Sequence, residues 1–302
     1  MRPSRLLRWR VLVYQLLAVA ALLAVAAYIV ANTAQNLRLR GIPSGFDFLW
    51  QPAGFDIGDS LIAFEAGSPY WLALGVGLAN SLRVALLGIV LSAVLGTALG
   101  VGRLSRNFLL RSLCTAYVEV FRNIPLLLQL LAWYFVLTDL LPPLDQAWRA
   151  GGWLVLSKSG LVLGDALSLT PEFLAVLAGL VLYSAAYLAE TVRAGVLAVA
   201  PGQLAAAAAL GLGRGQTLRH VVLPQALRLI MPPATNQFLS LTKNSSLAVA
   251  IGYPDLVSVA NTTLNQTGRA VECVSLVMAV YLLLSLATSL FMHWAERRMA
   301  WR

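Results

Sequence analysis

The sequence predicts an all-α membrane protein with about six transmembrane helices. Three observations carry that expectation. Hydrophobic residues make up 59% of the 302 residues and charged ones only 12%, where a soluble globular domain carries roughly 25% charged residues. Mean hydropathy is +0.76. The apolar residues also fall in runs long enough for a bilayer core, which takes about 20 residues of helix to cross. A chain so composed cannot cover itself with polar surface, and lipid is the solvent that fits it.

The first span runs from about Val11 to Ala31, behind Arg2, Arg5, Arg8 and Arg10. A signal peptide is the alternative, but its apolar stretch is only about 7–15 residues, so a retained anchor is expected. The second runs from about Trp71 to Val101, the third from Leu113 to Leu140, and the fourth from Pro171 to Ala200. A fifth, from about Leu229 to Gly252, is expected to break at Pro232 and Pro233, which lack the N–H a helix needs. The sixth runs from about Cys273 to Ala295. The chain thus divides into residues 1–70 (tail, extra first helix and an outer segment) and residues 71–302, the main transmembrane domain with an inner loop at 201–228.

Orientation comes from the basic residues, which collect on the cytoplasmic side. With the N-terminus inside, the inner segments hold the four arginines of the tail, Arg103, Arg106 and Arg111, Arg214, Arg219 and Arg228, and Arg297, Arg298 and Arg302. The outer loops hold only Arg38, Arg40, Arg149, Lys158 and Arg269. The net charge of +9 is therefore read as topology. No basic patch interleaved with aromatics points to nucleic acid. The outer loops also hold acids such as Asp47, Asp56, Asp59 and Asp165, and the one near Gly151 and Gly152 is rich in turn residues.

Within the second span, Gly88, Ser92, Gly96 and Gly100 recur at steps of four. Small residues at that spacing let helix backbones approach closely, either at a subunit interface or within the chain. Cys114 and Cys273 have no neighbours at ligand spacing and read as apolar fillers.

The loop from Pro201 to Arg228 differs from the others. Ala205 to Leu210 favour helix, and Gly211 and Gly213 supply a left-handed stop. The segment is too short to span and too apolar to float free, so it reads as a short helix docked on a partner. Arg214, Arg219 and His220 after it suit a membrane surface, and Pro224 is expected to end that stretch.

Gly202-Gln203, Ala206-Ala207, Ala209-Leu210-Gly211 and Val222-Leu223-Pro224-Gln225-Ala226 resemble the EAA loop of ABC importer permeases. Tyr117 to Leu126, Tyr187 to Gly195 and Thr242 to Leu247 are similar to further segments of that family, in the right order. Together they resemble the polar amino acid branch. The segments Ser44 to Leu49, Ala53 to Ile57 and Leu264 to Gly268 resemble its general L-amino acid members. The resemblance covers about Ser44 to Glu296. It implies a type I ABC importer permease core plus the extra N-terminal helix, in the bacterial inner membrane, multi-pass, with the N-terminus in the cytoplasm. It implies that Gly202, Gln203, Ala205, Ala206, Ala207, Leu210 and Gly211 form a coupling helix seated on an ABC ATPase dimer. It also implies a second, related permease subunit, a periplasmic amino-acid-binding protein, no cofactor bound by this chain, and ATP with Mg on the ATPase. Two departures stand out: the family's coupling-loop Glu falls at Ala205, removing one polar contact to the ATPase, and the outer loop after the third span is short for the general L-amino acid branch.

Charges inside a membrane are costly and so are paired or placed on a wet path. Arg122 lies in the third span. Glu190 and Arg193, three apart in the fourth, share a helix face, as an internal ion pair or as a gate. Asn236, Ser240 and Lys243 make one polar stripe on the fifth, with Gln237 and Asn244 beside it and Ser245 after it. The stripe lines a pathway or packs on the sister permease. For a zwitterion, Lys243 or Arg122 suits the carboxylate and Glu190 the ammonium. Tyr253 and Asp255 either cap a turn or meet the binding protein.

No phosphate-binding Gly-x-x-x-x-Gly-Lys sequence occurs, since Ser157 and Thr242 precede the only lysines. His220 and His293, far apart in topology, suggest no metal site and no catalytic set. A secondary transporter, which would show two related halves with matching broken helices, fits poorly with one broken span and no clear repeat. A membrane enzyme fits poorly for want of catalytic residues.

Overall fold

A computed structural model describes residues 5–151, 153–164 and 167–300. The expectations on Arg2, Gly152, Asp165 and Arg302 fall outside the described residues. The described elements are α1 (Arg5–Leu39), α2 (Tyr70–Gly102), α3 (Phe108–Asn123), α4 (Leu126–Phe135), four short strands β1 (Trp148–Ala150), β2 (Leu154–Ser157), β3 (Gly160–Leu163) and β4 (Leu167–Leu169), then α5 (Pro171–Leu197), α6 (Pro201–Ala209), α7 (Arg214–Thr217), α8 (Leu223–Asn244), α9 (Leu256–Thr267) and α10 (Ala270–Ala300).

Where apolar residues run on without proline, the helices are long. Leu12–Leu39, Tyr70–Gly102, Pro171–Leu197 and Ala270–Ala295 are each long and apolar enough to cross a membrane. The expected third span is not one helix: α3 and α4 meet at a 104° bend. Pro125 is the cause. A residue before proline is pushed out of the helical region, and Ile124 sits at φ −97°, ψ 127°. The buried Gln129 caps the break, its amide donating to the carbonyls of Phe121 and Ile124, both at 2.9 Å. Counted by length and apolarity, the described helices make four spans, or five with the bent pair as one. The expected fifth span, α8, is too polar to count on composition.

That helix also corrects two expectations about proline. Pro232 and Pro233 do not break α8, which runs through both. Pro224 does not end the preceding stretch either; it lies in the first turn of α8, where a missing N–H costs nothing. The chain reaches it through a π-helical turn, Leu218–Val222, with the Leu223 N–H donating to the carbonyl of Leu218. Widening the helix by one residue absorbs the misfit ahead of the proline.

The core is a parallel pair, α2 and α5. At one end the Arg83 guanidinium lies 4.0 Å from the Phe173 ring centroid; further along, Gly96 sits against Ala185 and Leu188, and Gly100 against Ala189 and Val192. A Cβ at Gly96 would lie 2.6 Å from that of Leu188, so only glycine allows this approach. Gly88 faces Leu241 of α8, and Ser92 is fully buried. The small-residue stripe is thus used within the chain.

The turn-rich segment between α4 and α5 suggests only loop, but it carries a four-stranded antiparallel meander in the order β1-β2-β3-β4. Trp148 pairs with Leu156, Leu154 with Leu163, and Leu161 with Leu169. Its last strand runs directly into α5, whose first turn Thr170 caps by accepting from the Phe173 N–H at 3.2 Å.

Residues 42–69 form a strap over the α2 and α5 starts. Phe48 and Ala53 are 1% exposed, and the Phe48 ring meets Tyr70 edge-on at 5.9 Å. Asp59 binds Arg83 at 3.1 Å and accepts from the Thr170 hydroxyl at 3.0 Å. Arg269 holds Asp47 at 3.0 Å, Glu272 accepts from the Gly45 N–H at 2.6 Å, and Tyr70 donates to Gln266 at 2.8 Å. The two sequence segments around Asp47 and Gln266, separate in the chain, are therefore one structural unit. By contrast α1 is exposed along its described side chains, except for partial cover at Thr33 and Leu37.

Candidate functional site

At the opposite end from the strap, α5 leads into α6. Pro201 opens the helix, with φ already set for it, and alanines carry it at little entropic cost. Gly211 ends it at φ +72°. Its N–H donates to the Ala208 carbonyl at 3.0 Å, and that of Leu212 to Ala207 at 3.1 Å, the paired bonds of a Schellman stop. Gly202, Gln203, Ala205 and Ala206 are exposed, and only Ala207 of this helix is buried. Leu210 is 79% exposed. A short helix this open leaves its apolar groups without cover from its own chain.

The connections of α6 are firm. Val199 before it and Val222 and Ala226 after it form a small buried cluster with Val196 and Ile230. Gly195 lets α5 close on Ile230 of α8. The segments on either side of α6 are thus packed against the adjoining ends of α5 and α8.

Those two helices and the end of α3 line an open cavity of about 420 Å³. Arg122, Tyr187, Glu190, Thr191, Pro233 and Gln237 are among its walls. The break at Pro125 delivers Arg122 there from the last turn of α3, its guanidinium 5.1 Å from the Tyr187 ring centroid. Glu190 is not free. Arg193 Nη2 approaches Oε1 at 2.5 Å and Nε approaches Oε2 at 3.2 Å, while Arg103, capping α2, also binds Oε2. The ion pair of Glu190 and Arg193 expected on one helix face is present, and it is part of a three-residue tie between α2 and α5. With two cations on one carboxylate, Glu190 is poorly placed to receive a substrate ammonium.

The other expected pathway residues divide. Asn236, Ser240 and Lys243 lie exposed on one face of α8, beyond the cavity walls, and Asn244 is half-buried. Ser245 does not join them. It opens a 3-10 turn, is 1% exposed, and donates to the Thr242 carbonyl at 2.8 Å; its hydroxyl serves the backbone. Asp255 caps α9, accepting from the Ser258 N–H at 2.8 Å, and Tyr253 is fully buried. Sequence reasoning missed Tyr187 and Arg103 as site residues. The tyrosines at 183 and 187, one helical turn apart with hydroxyls 3.3 Å apart, were the available signal; Arg103 carried none, because it meets Glu190 only through the α2–α5 packing.

The chain has relatives among known proteins. The profile of the family described as "Binding-protein-dependent transport system inner membrane component" matches residues 88–301. The general L-amino acid transport system permease protein AapQ of Rhizobium johnstonii is 38% identical, across 97% of this chain and 93% of its own length. The putative amino-acid ABC transporter permease protein YhdX of Escherichia coli is 39% identical, across 96% and 94%. Among solved structures, an amino acid ABC transporter crystallised with histidines superposes with a TM-score of 0.60 at 28% identity, covering 76% of this chain and 95% of that one.

Proposed function

Because this chain belongs to the family of binding-protein-dependent transport system inner membrane components, we propose that it forms one half of the path of an ATP-binding-cassette importer that takes up L-amino acids from the periplasm. It is a transport subunit and not an enzyme; ATP is hydrolysed on a separate polypeptide, which holds the ATP and Mg.

One observation carries the reading: the helix exposed for a partner and the walls of the cavity belong to adjoining elements, joined by one buried cluster. α6 sits on the ATPase through Gly202, Gln203, Ala205, Ala206, Leu204 and Leu210, all exposed. When ATP draws two ATPase subunits together, α6 moves with its seat. The Val199–Val222–Ala226 cluster transmits that movement to α5 and α8, and the cavity between them changes access. The bias between states comes from the different contacts α6 makes in each. Ala205 offers no polar contact, so the seat relies on shape and on the Leu204 and Leu210 side chains.

The exposed stripe of Asn236, Ser240 and Lys243 faces a second, related permease, the two subunits enclosing the path about a pseudo-two-fold axis. The relatives' names favour such a pairing: Escherichia coli has glutamate/aspartate import permease proteins GltJ and GltK, which both match this chain. The strap side faces a periplasmic amino-acid-binding protein, and the N-terminus lies in the cytoplasm. The test is gentle affinity purification of the chain from its native membrane, with mass identification of what comes with it. An ATPase and a second permease are expected. An ATPase alone at equal amount would make the complex a homodimer of permeases, and no ATPase, where a known importer stays whole, would overturn the reading.

A further inference from the structure

The strap is tied to the bundle on its inward side, through Phe48, Asp59 and Asp47. Its outward side carries groups that the described chain leaves uncovered. Leu61 and Ile62 are 58% and 40% exposed, in a segment outside the long helices. Two residues before Leu61, Asp59 enters the wall of an open cavity of about 480 Å³, which lies between the strap, the first turn of α5 and the start of α9. The strap precedes residue 88, where the family profile begins, so this wall is an addition to the segment that the profile describes. We propose that the cavity receives a lysine or arginine side chain from the periplasmic amino-acid-binding protein, with Leu61 and Ile62 as the apolar surround of that contact. The inference rests on the reading that the strap side faces that protein.

Three carboxylates stand in the cavity walls, Asp56, Asp59 and Glu172. Asp59 is taken: it binds Arg83 at 3.1 Å and accepts from the Thr170 hydroxyl at 3.0 Å. Arg83 is thereby engaged as well, with its guanidinium over the Phe173 ring. Asp56 is exposed on the strap and Glu172 is half-buried in the first turn of α5, and neither forms an ion pair among the described residues. No lysine or arginine of the described residues lines the cavity. It therefore holds uncompensated negative charge, and a cleft focuses such a field at its mouth.

The other walls narrow the kind of cation that fits. Phe55, Ile57 and Val259 supply apolar surface beside the hydroxyls of Ser258 and Thr262. A hard metal ion takes oxygen ligands on every side. A lipid headgroup brings a phosphate that Asp56 and Glu172 repel. A long basic side chain matches both halves of the cavity: its methylene stem lies on Phe55 and Ile57 while its charged head meets the carboxylates. Such anchors work best where surrounding groups exclude water, which is the part left to Leu61 and Ile62.

The experiment measures the affinity of the amino-acid-loaded binding protein, co-purified with the complex, for the permease–ATPase complex in nanodiscs, over a range of NaCl concentrations. In the double variant Asp56→Asn, Glu172→Gln the affinity is expected to fall about tenfold or more, and its dependence on salt to flatten. Asp56→Glu should bind as the unaltered chain does. Leu61→Ser should weaken binding with the salt dependence kept. Melting temperatures separate lost docking from a lost fold. Undiminished affinity in the folded double variant would overturn the proposal, as would a loss with the salt dependence unchanged. If the double variant instead sheds the second permease on purification, the cavity faces that subunit and the proposal falls. No measurable affinity for the unaltered complex would overturn the reading of the strap side itself.

Discussion

The strap between α1 and α2 buries Phe48 and Ala53 almost completely, while the α5–α8 connection at the other end of the bundle leaves nearly all of α6 exposed. Both contain several glycines, and both join long helices. The strap's polar groups find partners within the chain: Asp59 has Arg83 and Thr170, Asp47 has Arg269, and Gly45 has Glu272. The α6 connection satisfies its own backbone through the Gly211 stop but leaves Leu204 and Leu210 uncovered. A connection whose needs are met internally is a fixture of the fold. One that is well formed yet uncovered suits the seat on an ATPase proposed for it.

Four variants would break or sharpen that comparison. Asp59→Ala is expected to have the largest effect on the fold. It strands Arg83, whose side chain is 12% exposed, and loss of one member of a buried pair costs about 3–5 kcal/mol, measurable as denaturation of the detergent-solubilised protein. A loss under ~1 kcal/mol would mean the strap is not a fixture. Gly211→Val places a branched side chain at φ +72°. The local strain is about 1–2 kcal/mol, but the readout of interest is transport: uptake in proteoliposomes falls sharply while ATP hydrolysis by the complex continues. Unchanged uptake would separate α6 from coupling.

Leu210→Ser should leave stability within about 0.5 kcal/mol, as for other exposed positions, yet weaken retention of the ATPase on purification. If retention is undiminished, that side chain is not part of the seat. The smallest effect belongs to Asp47→Asn. Its pair with Arg269 is surface-bound, with the Asp47 side chain 64% exposed, so roughly 0–1 kcal/mol is expected. A larger loss would show that the strap depends on this rim contact more than on Phe48.

Much of the fold was legible in the chain, because hydropathy needs only run length. The runs behind α1, α2, α5 and α10 could be read directly, as could α6 from its alanines and its glycine stop. Proline was harder. Pro125, Pro224, Pro232 and Pro233 are the same residue type, yet the first turns the chain by 104°, the second lies in a helix's first turn, and the last two lie inside a continuous helix. What differs is whether neighbouring elements hold the backbone in place, and a local sequence does not state that. The meander stayed hidden because strands of three or four residues have no periodicity to detect.

The site was legible in kind but not in pairing. Arg122, Glu190 and Gln237 were nameable from polar residues inside apolar runs, and all three stand in the cavity walls. That Glu190 is taken up by Arg103, that Ser245 turns inward, and that Tyr187 backs Arg122 depend on how α2, α3 and α5 pack. By itself the sequence determined that the chain lives in lipid, where the apolar runs of four long helices lie, and that one short helix stands apart, since composition, run length and glycine stops are local properties. Only the tertiary structure decided which charges neutralise one another, because that rests on distances between residues as far apart in the chain as Arg103 and Glu190.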